Sequence, residues 1–167
     1  MLTALNVQRP VACSAPQAPQ HLQAWFDEHA RGEDLIVTLR APVGFAGWPK
    51  LELSRECSVH IVPAHTPGAM TPQYRVTWKS ATGGPFPEFT GVLTIRNADD
   101  YTSCILALDG TYRPPLGATG IAFDRTIGHT IAVSCGRDLL ERIGASMEDA
   151  YNRVEQYKSE KRASSAG

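Results

Sequence analysis

A change of hydrophobic period near residue 112 does most to limit what this chain can fold into. From Asp34 to Tyr112 apolar side chains fall on alternate positions, the mark of strands with one dry face and one wet face. Leu35, Val37 and Leu39 make one such row, and Leu51, Leu53, Arg55, Cys57, Val59 and Ile61 a second. Tyr74, Val76 and Trp78 follow, then Phe89, Gly91, Leu93 and Ile95, then Cys104, Leu106, Leu108, Gly110 and Tyr112. The separators APVGFAGWP, PAHTPGAMTP, ATGGPFP and NADD are rich in turn residues. They are too short for crossover helices, so these five strands must pair mostly antiparallel.

Beyond Tyr112 the period is helical. Ile127, Ile131, Cys135, Leu139, Ile143 and Met147 recur every four residues, and Ala150, Val154 and Tyr157 continue the face. That spacing predicts a helix from about 116 to 157, continuous or broken near Gly128 or Gly136. Glycines at 120, 128, 136 and 144 repeat every eight residues, about 80° past two full turns, so they rotate around the helix and line no single face. Each costs up to ~1 kcal/mol against alanine, which implies either a break or a close neighbour. At the other end, residues 2–13 alternate weakly through Leu5, Val7, Val11 and Cys13 and read as a strand, with Pro10 marking an edge or bulge. A short helix follows, started by a Ser14–Gln17 capping box or nearer Ala18 with Pro19 in its first turn. Its apolar face is Leu22, Trp25, Phe26 and His29, and Gly32 supplies the stop. The order predicts one α+β domain over residues 1–157, whose last helix covers the dry face of the sheet. Residues 158–167 read as a polar, disordered tail.

Charge and cysteine usage narrow the function classes. Sixteen basic residues against seventeen acidic ones leave a net charge of −1, which argues against a nucleic-acid partner. The four cysteines form no C-x-x-C pair, so no zinc ribbon or thioredoxin motif is offered. No basic leader or membrane-length apolar run is present in the sequence. A cytoplasmic protein without an integral membrane segment is the expectation, as monomer or homodimer.

The stretch GTYRPPLGATGIAFDR, residues 110–125, invites a chemical reading. A phosphate cradle needs successive free N–H groups and often a lysine; here Pro114 and Pro115 remove donors and no lysine follows. The stretch therefore reads as a joint between the last strand and the last helix. Ser134 and Cys135 in IAVSCGRD lack a nucleophile elbow. His60 and His65 diverge between a strand and a turn, and His129 stands alone, so no metal site, cofactor or catalytic residue is expected.

This element order over residues 2–157 resembles the START-like, helix-grip superfamily (SRPBCC), which includes birch-pollen-allergen relatives, polyketide cyclases and lipid-transfer domains. VTWKSATGGPFPEFTGVLTI and LDGTYRPPLGATGIAFDR reinforce it, the second resembling the joint of an uncharacterised bacterial subgroup. The resemblance implies a curved antiparallel sheet of six or seven strands wrapped around the C-terminal helix, with an apolar cavity between them.

Within that frame, the polar or amphipathic residues of inward parity are Arg55, Tyr74, Trp78 and Tyr112. An isolated arginine on a dry face is costly. Arg55 pairs with a carboxylate such as Asp124 or Glu148, snorkels at the sheet's end, or meets an anionic head group. The candidate ligand-binding set is completed by Cys57, Phe89, Leu93, Leu106 and Ile131. The expected function is non-catalytic binding or transport of a hydrophobic or amphipathic small molecule, such as a lipid, polyketide or isoprenoid. A polyketide cyclase or dehydratase-type enzyme is the alternative. A further one is a closed-cavity interaction module using Trp25, Phe45, Trp48, Phe86 and Phe89.

Overall fold

The computed structural model describes residues 2–32, 34–43, 51–84, 86–114 and 125–166, with the backbone alone at 43, 51 and 125–127. Seven strands and two helices are described: β1 (Thr3–Val11), α1 (Ala18–His29), β2 (Ala30–Arg31), β3 (Asp34–Val43), β4 (Leu51–Pro63), β5 (Gln73–Ser80), β6 (Glu88–Asn97), β7 (Cys104–Arg113) and α2 (Arg125–Ser165). All seven strands join one sheet in the order β1-β7-β6-β5-β4-β3-β2, every pair antiparallel. The short turn-rich separators allow nothing else from β3 to β7. The first described strand forms one edge of the sheet by pairing with the last, from Thr3 opposite Tyr112 to Val11 opposite Cys104.

The alternation read from sequence is the alternation seen. Leu35, Val37, Leu39, Cys57, Val59, Tyr74, Val76, Trp78, Phe89, Leu93, Ile95, Leu106, Leu108 and Tyr112 are all buried on the inner face. The helix α2 lays Ile131, Cys135, Leu139, Ile143 and Met147 onto it.

How tightly the sheet must curl follows from the polar contacts at its two flanks. On one side the Arg40 N–H of β3 donates to Asp138 Oδ2 of α2 at 3.1 Å. On the other, the Ala12 N–H just past β1 donates to Glu148 Oε1 of α2 at 3.0 Å. β1 and β3 stand five strand spacings apart in the sheet, about 24 Å if flat, whereas a helix with its side chains is only about 10–12 Å across. One helix can reach both flanks only if the sheet wraps around it. Among the described residues, α2 lies close against β1, β3 and part of β7, while β4, β5 and β6 are not among its near neighbours. Large inward side chains of the central strands, Trp78 and Phe89 among them, belong to the same buried core as Ile131, Leu139 and Ile143 of α2.

Several local expectations change. The α1 helix starts at Ala18 with Pro19 in its first turn and no side-chain cap, so the Ser14–Gln17 capping box does not form. Instead the Ser14 carbonyl accepts the backbone N–H groups of Gln17 and Ala18. Gly32 does not stop α1, which ends at His29; with φ at +73° it turns the chain between β2 and β3, a conformation glycine adopts without a Cβ penalty. The last helix is unbroken from Arg125 to Ser165, so neither Gly128 nor Gly136 interrupts it. Residues 116–124, read as its beginning, lie outside those described.

Two of the glycines have a purpose the eight-residue spacing concealed. A Cβ on Gly136 would come 3.1 Å from Val7 Cγ2, and one on Gly144 would overlap the Arg9 guanidinium. Although 80° apart around the helix, both face β1, because strand and helix cross over a broad arc. The close neighbour that the glycines required is therefore the first strand. The apolar stripe also ends earlier than its spacing implies: Val154 and Tyr157 are 38% and 67% exposed, since α2 has run past the sheet.

Candidate functional site

The inner face of β5 and β6 is an aromatic floor, built on a pair of glycines. Gly91 and Gly110 stand opposite each other on β6 and β7. A Cβ on either would overlap the Phe89 ring and the facing backbone, so the bare strands let that ring lie flat across them. Trp78, opposite Phe89 on β5, stacks on it with centroids 4.1 Å apart and planes 17° apart. The indole N–H is satisfied, donating to the Pro87 carbonyl at 3.1 Å. Phe86, from the same β5–β6 connection, is also buried.

Tyr112 is the next residue across this row, opposite Phe89. Its hydroxyl is hydrogen-bonded to His129 Nδ1 at 3.3 Å, in the first turns of α2. Sequence reasoning reads His129 as solitary; in the structure the start of α2 and the end of β7 bring the two together. Their seventeen-residue separation, from strand end to helix start, was the available signal.

Arg55 lies further along β4, opposite Leu39 and two residues from the fully buried Cys57. Its guanidinium rests against Gly84, where a Cβ would stand 3.6 Å from Nη1; Gly84 has φ +92°. Arg55 Nε is buried and has no hydrogen-bond partner among the described residues. Of the carboxylates considered for it, Glu148 is taken: it binds Arg9, and Asp124 lies outside the described residues.

Arg9, not among the residues singled out from the sequence, shares the inward parity of Leu5, Val7 and Val11. Its Nε meets Glu141 at 2.7 Å and its Nη1 meets Glu148 at 3.2 Å. The bonded guanidinium holds the Glu141 carboxyl below its usual range. Two carboxylates seven residues apart on a helix, both directed at one strand, were the missed signal.

The structure therefore divides the candidate set. Arg55, Cys57, Trp78, Phe89 and Tyr112 gather toward the end of the grip where β4 and β6 begin and β5 and β7 finish. Ile131 is buried on α2 soon after His129. Tyr74 and Leu93 form a cross-strand pair two rows away, and Leu106 pairs with Arg9 and Ile95 farther still. Tyr74 packs edge-on against Phe26 of α1 at 6.0 Å, and burial pushes its phenol up. It also borders a surface groove of about 520 Å³ between α1 and the β4–β5 connection.

Burial raises the Cys57 thiol to about 12 and the Cys104 thiol to about 11, and pushes Cys135 up as well. None of the three is a thiolate nucleophile near neutral pH. Of the loop aromatics considered for a protein interface, Trp25, Phe86 and Phe89 are buried; Phe45 and Trp48 lie outside the described residues. No group of three metal-ligating side chains occurs among the described residues. None of their helices is long and apolar enough to cross a membrane.

Seven antiparallel strands wrapped around a long C-terminal helix, with a helix between the first and second strands, define a helix-grip, START-like α+β fold. Solved structures similar to this chain include a START superfamily protein from Mycobacterium smegmatis, at 13% identity and TM-score 0.45, over 90% of this chain and 98% of that one. The ZhuI aromatase/cyclase from Streptomyces sp. R1128 is 11% identical with TM-score 0.47, over 92% and 96% of the two chains. A norcoclaurine synthase point mutant from Thalictrum is 10% identical with TM-score 0.35, over 85% and 97%. No family model and no curated protein sequence matches the chain.

Proposed function

We propose that this protein binds a hydrophobic or amphipathic small molecule non-covalently, in the space between the central strands and α2. The lining would come from Arg55, Cys57, Trp78, Phe89, Tyr112 and Ile131, with Tyr74, Leu93 and Leu106 closing the far side. The observation that supports this reading is the stacked Trp78–Phe89 pair on the inner face of the central strands, under a helix held mainly at β1 and β3. An apolar guest there gains roughly 25 cal/mol per Å² buried before its ordering costs. The raised cysteine thiols favour binding over covalent chemistry. Lipids, polyketides and isoprenoids fit this description.

The test is mass spectrometry of the organic extract of protein purified without detergent, with a mock extract as control. A stoichiometric apolar compound is the expected result. Empty extracts from several lysates, together with failure to bind environment-sensitive dyes, would sink the reading.

One observation favours a second, catalytic reading. A phenol and an imidazole within hydrogen-bond reach, as in Tyr112 and His129, make an acid–base couple. Chemical change of the extracted compound on incubation, lost in His129→Ala, would establish it.

A further inference from the structure

The two arginines of inward parity are treated in opposite ways. Arg9 has a carboxylate on each side of its guanidinium, Glu141 and Glu148. Arg55 has no carboxylate within ion-pair reach among the described residues, and its Nε–H points into protein with nothing to receive it. Its neighbours on β4, Glu52 and Glu56, are exposed on the opposite face, and Glu52 is engaged with Arg40. A guanidinium stays charged at any accessible pH, so neutralising itself is no escape from this position.

The other polar groups at this end are committed. The Trp78 N–H is given to Pro87, and Tyr112 and His129 are bonded to each other. Among the described residues, Arg55 Nε is a buried donor at this end with no partner. The surface against it is bare: Gly84 offers backbone only, in a left-handed conformation that disfavours any side chain. Among the described residues, the chain thus presents a charged fork at this end of the sheet and supplies no anion to fill it.

We infer that the ligand is an acidic amphiphile, an apolar body bearing one carboxylate, and that Arg55 receives the carboxylate. Nε–H with a neighbouring Nη–H is the side-on fork that matches two carboxylate oxygens. This rests on the binding reading above and narrows it from hydrophobic molecules in general to acids.

The experiment is displacement of the neutral fluorophore N-phenyl-1-naphthylamine by dodecanoate and by dodecanol, which share a chain and differ in charge. Wild type, Arg55→Met, Arg55→Lys and the exposed control Arg75→Met are compared, each first checked for a cooperative melt. Wild type should prefer dodecanoate over dodecanol by about tenfold or more, the usual strength of a charge-assisted hydrogen bond. Arg55→Met should bring the ratio to near one while keeping the fluorophore and dodecanol, Arg55→Lys should fall between, and Arg75→Met should match wild type. A wild-type ratio near one, or a preference that survives in Arg55→Met, overturns the inference and leaves the binding reading standing. Failure of wild type to bind the fluorophore and both competitors overturns the two together. If Arg55→Met does not fold, the wild-type ratio and Arg55→Lys still decide.

Discussion

Where β1 and β3 meet α2, polar groups are matched: Asp138 accepts a strand N–H on one flank, and Glu148 accepts another on the opposite flank. Arg9 adds a guanidinium bound to two carboxylates, in the space left by Gly144. At the centre of the sheet the contacts are aromatic, and Arg55 has no anion among the described residues. The difference separates two tasks. The flanks fix the sheet to the helix with directional bonds, and the centre holds a shape with side chains that make few demands on one another.

Substitutions can break that division in order of effect. Gly110→Ala should do most damage, because its methyl would overlap the Thr90 carbonyl, the Gly91 Cα and the Phe89 ring. A loss of about 3 kcal/mol or more is expected, lowering Tm by about 6–12 °C; a melt within 2 °C of wild type would show that the floor is not rigid. Arg9→Met should cost about 1–2 kcal/mol, below the value for a fully buried pair because Glu141 and Glu148 are partly solvated.

The same variant has a pH signature. Since Glu141 is depressed in the folded state, its contribution is fully present above the unfolded value of about 4.3 and is lost as pH falls through the folded pKa. Wild-type Tm should therefore drop more steeply below pH 5 than that of Arg9→Met, and parallel curves would refute the linkage.

His21 gives a smaller effect, and its substitution should stabilise where those above destabilise. It is buried on α1 against Tyr151 of α2, its Nε2 has no hydrogen-bond partner among the described residues, and desolvation lowers its pKa. The neutral form is favoured on folding, so stability falls as pH drops below about 6.5 toward the folded value. His21→Phe should flatten that part of the Tm profile and stabilise by up to about 1 kcal/mol at pH 6. Unchanged pH dependence would assign the slope elsewhere. Smallest of all, Gly136→Ala should shift stability by less than about 1 kcal/mol, the helical gain over glycine offsetting a tight approach to Val7. A large loss would mean that β1 has no room to yield.

The strands and their inward sets were legible because alternation is a local property, unaffected by which partner covers the face. Tyr112, Trp78 and Phe89 could be placed on one face without knowing the pairing. What escaped depended on distant segments. Arg9 has a reason to be inside only once Glu141 and Glu148 are brought to it. The spacing of Gly136 and Gly144 argued against a shared face, because angle around a helix ignores the slant of the strand across it. His129 and Tyr112 meet only through the approach of α2 to the end of β7, and Gly32 changed role because α1 ended three residues sooner.

Pairing of β1 with β7 also has a kinetic consequence. Every backbone partner of β1 lies in residues 104–112, and its ionic partners lie at 141 and 148. During synthesis it stays unpaired until about two thirds of the chain exists, and closing so long a loop makes its pairing slow. Pro10, with no N–H to offer, and the charge on Arg9 make that waiting strand a poor template for a neighbouring molecule. The residues that complete the native grip thus also protect the chain while it is unfinished.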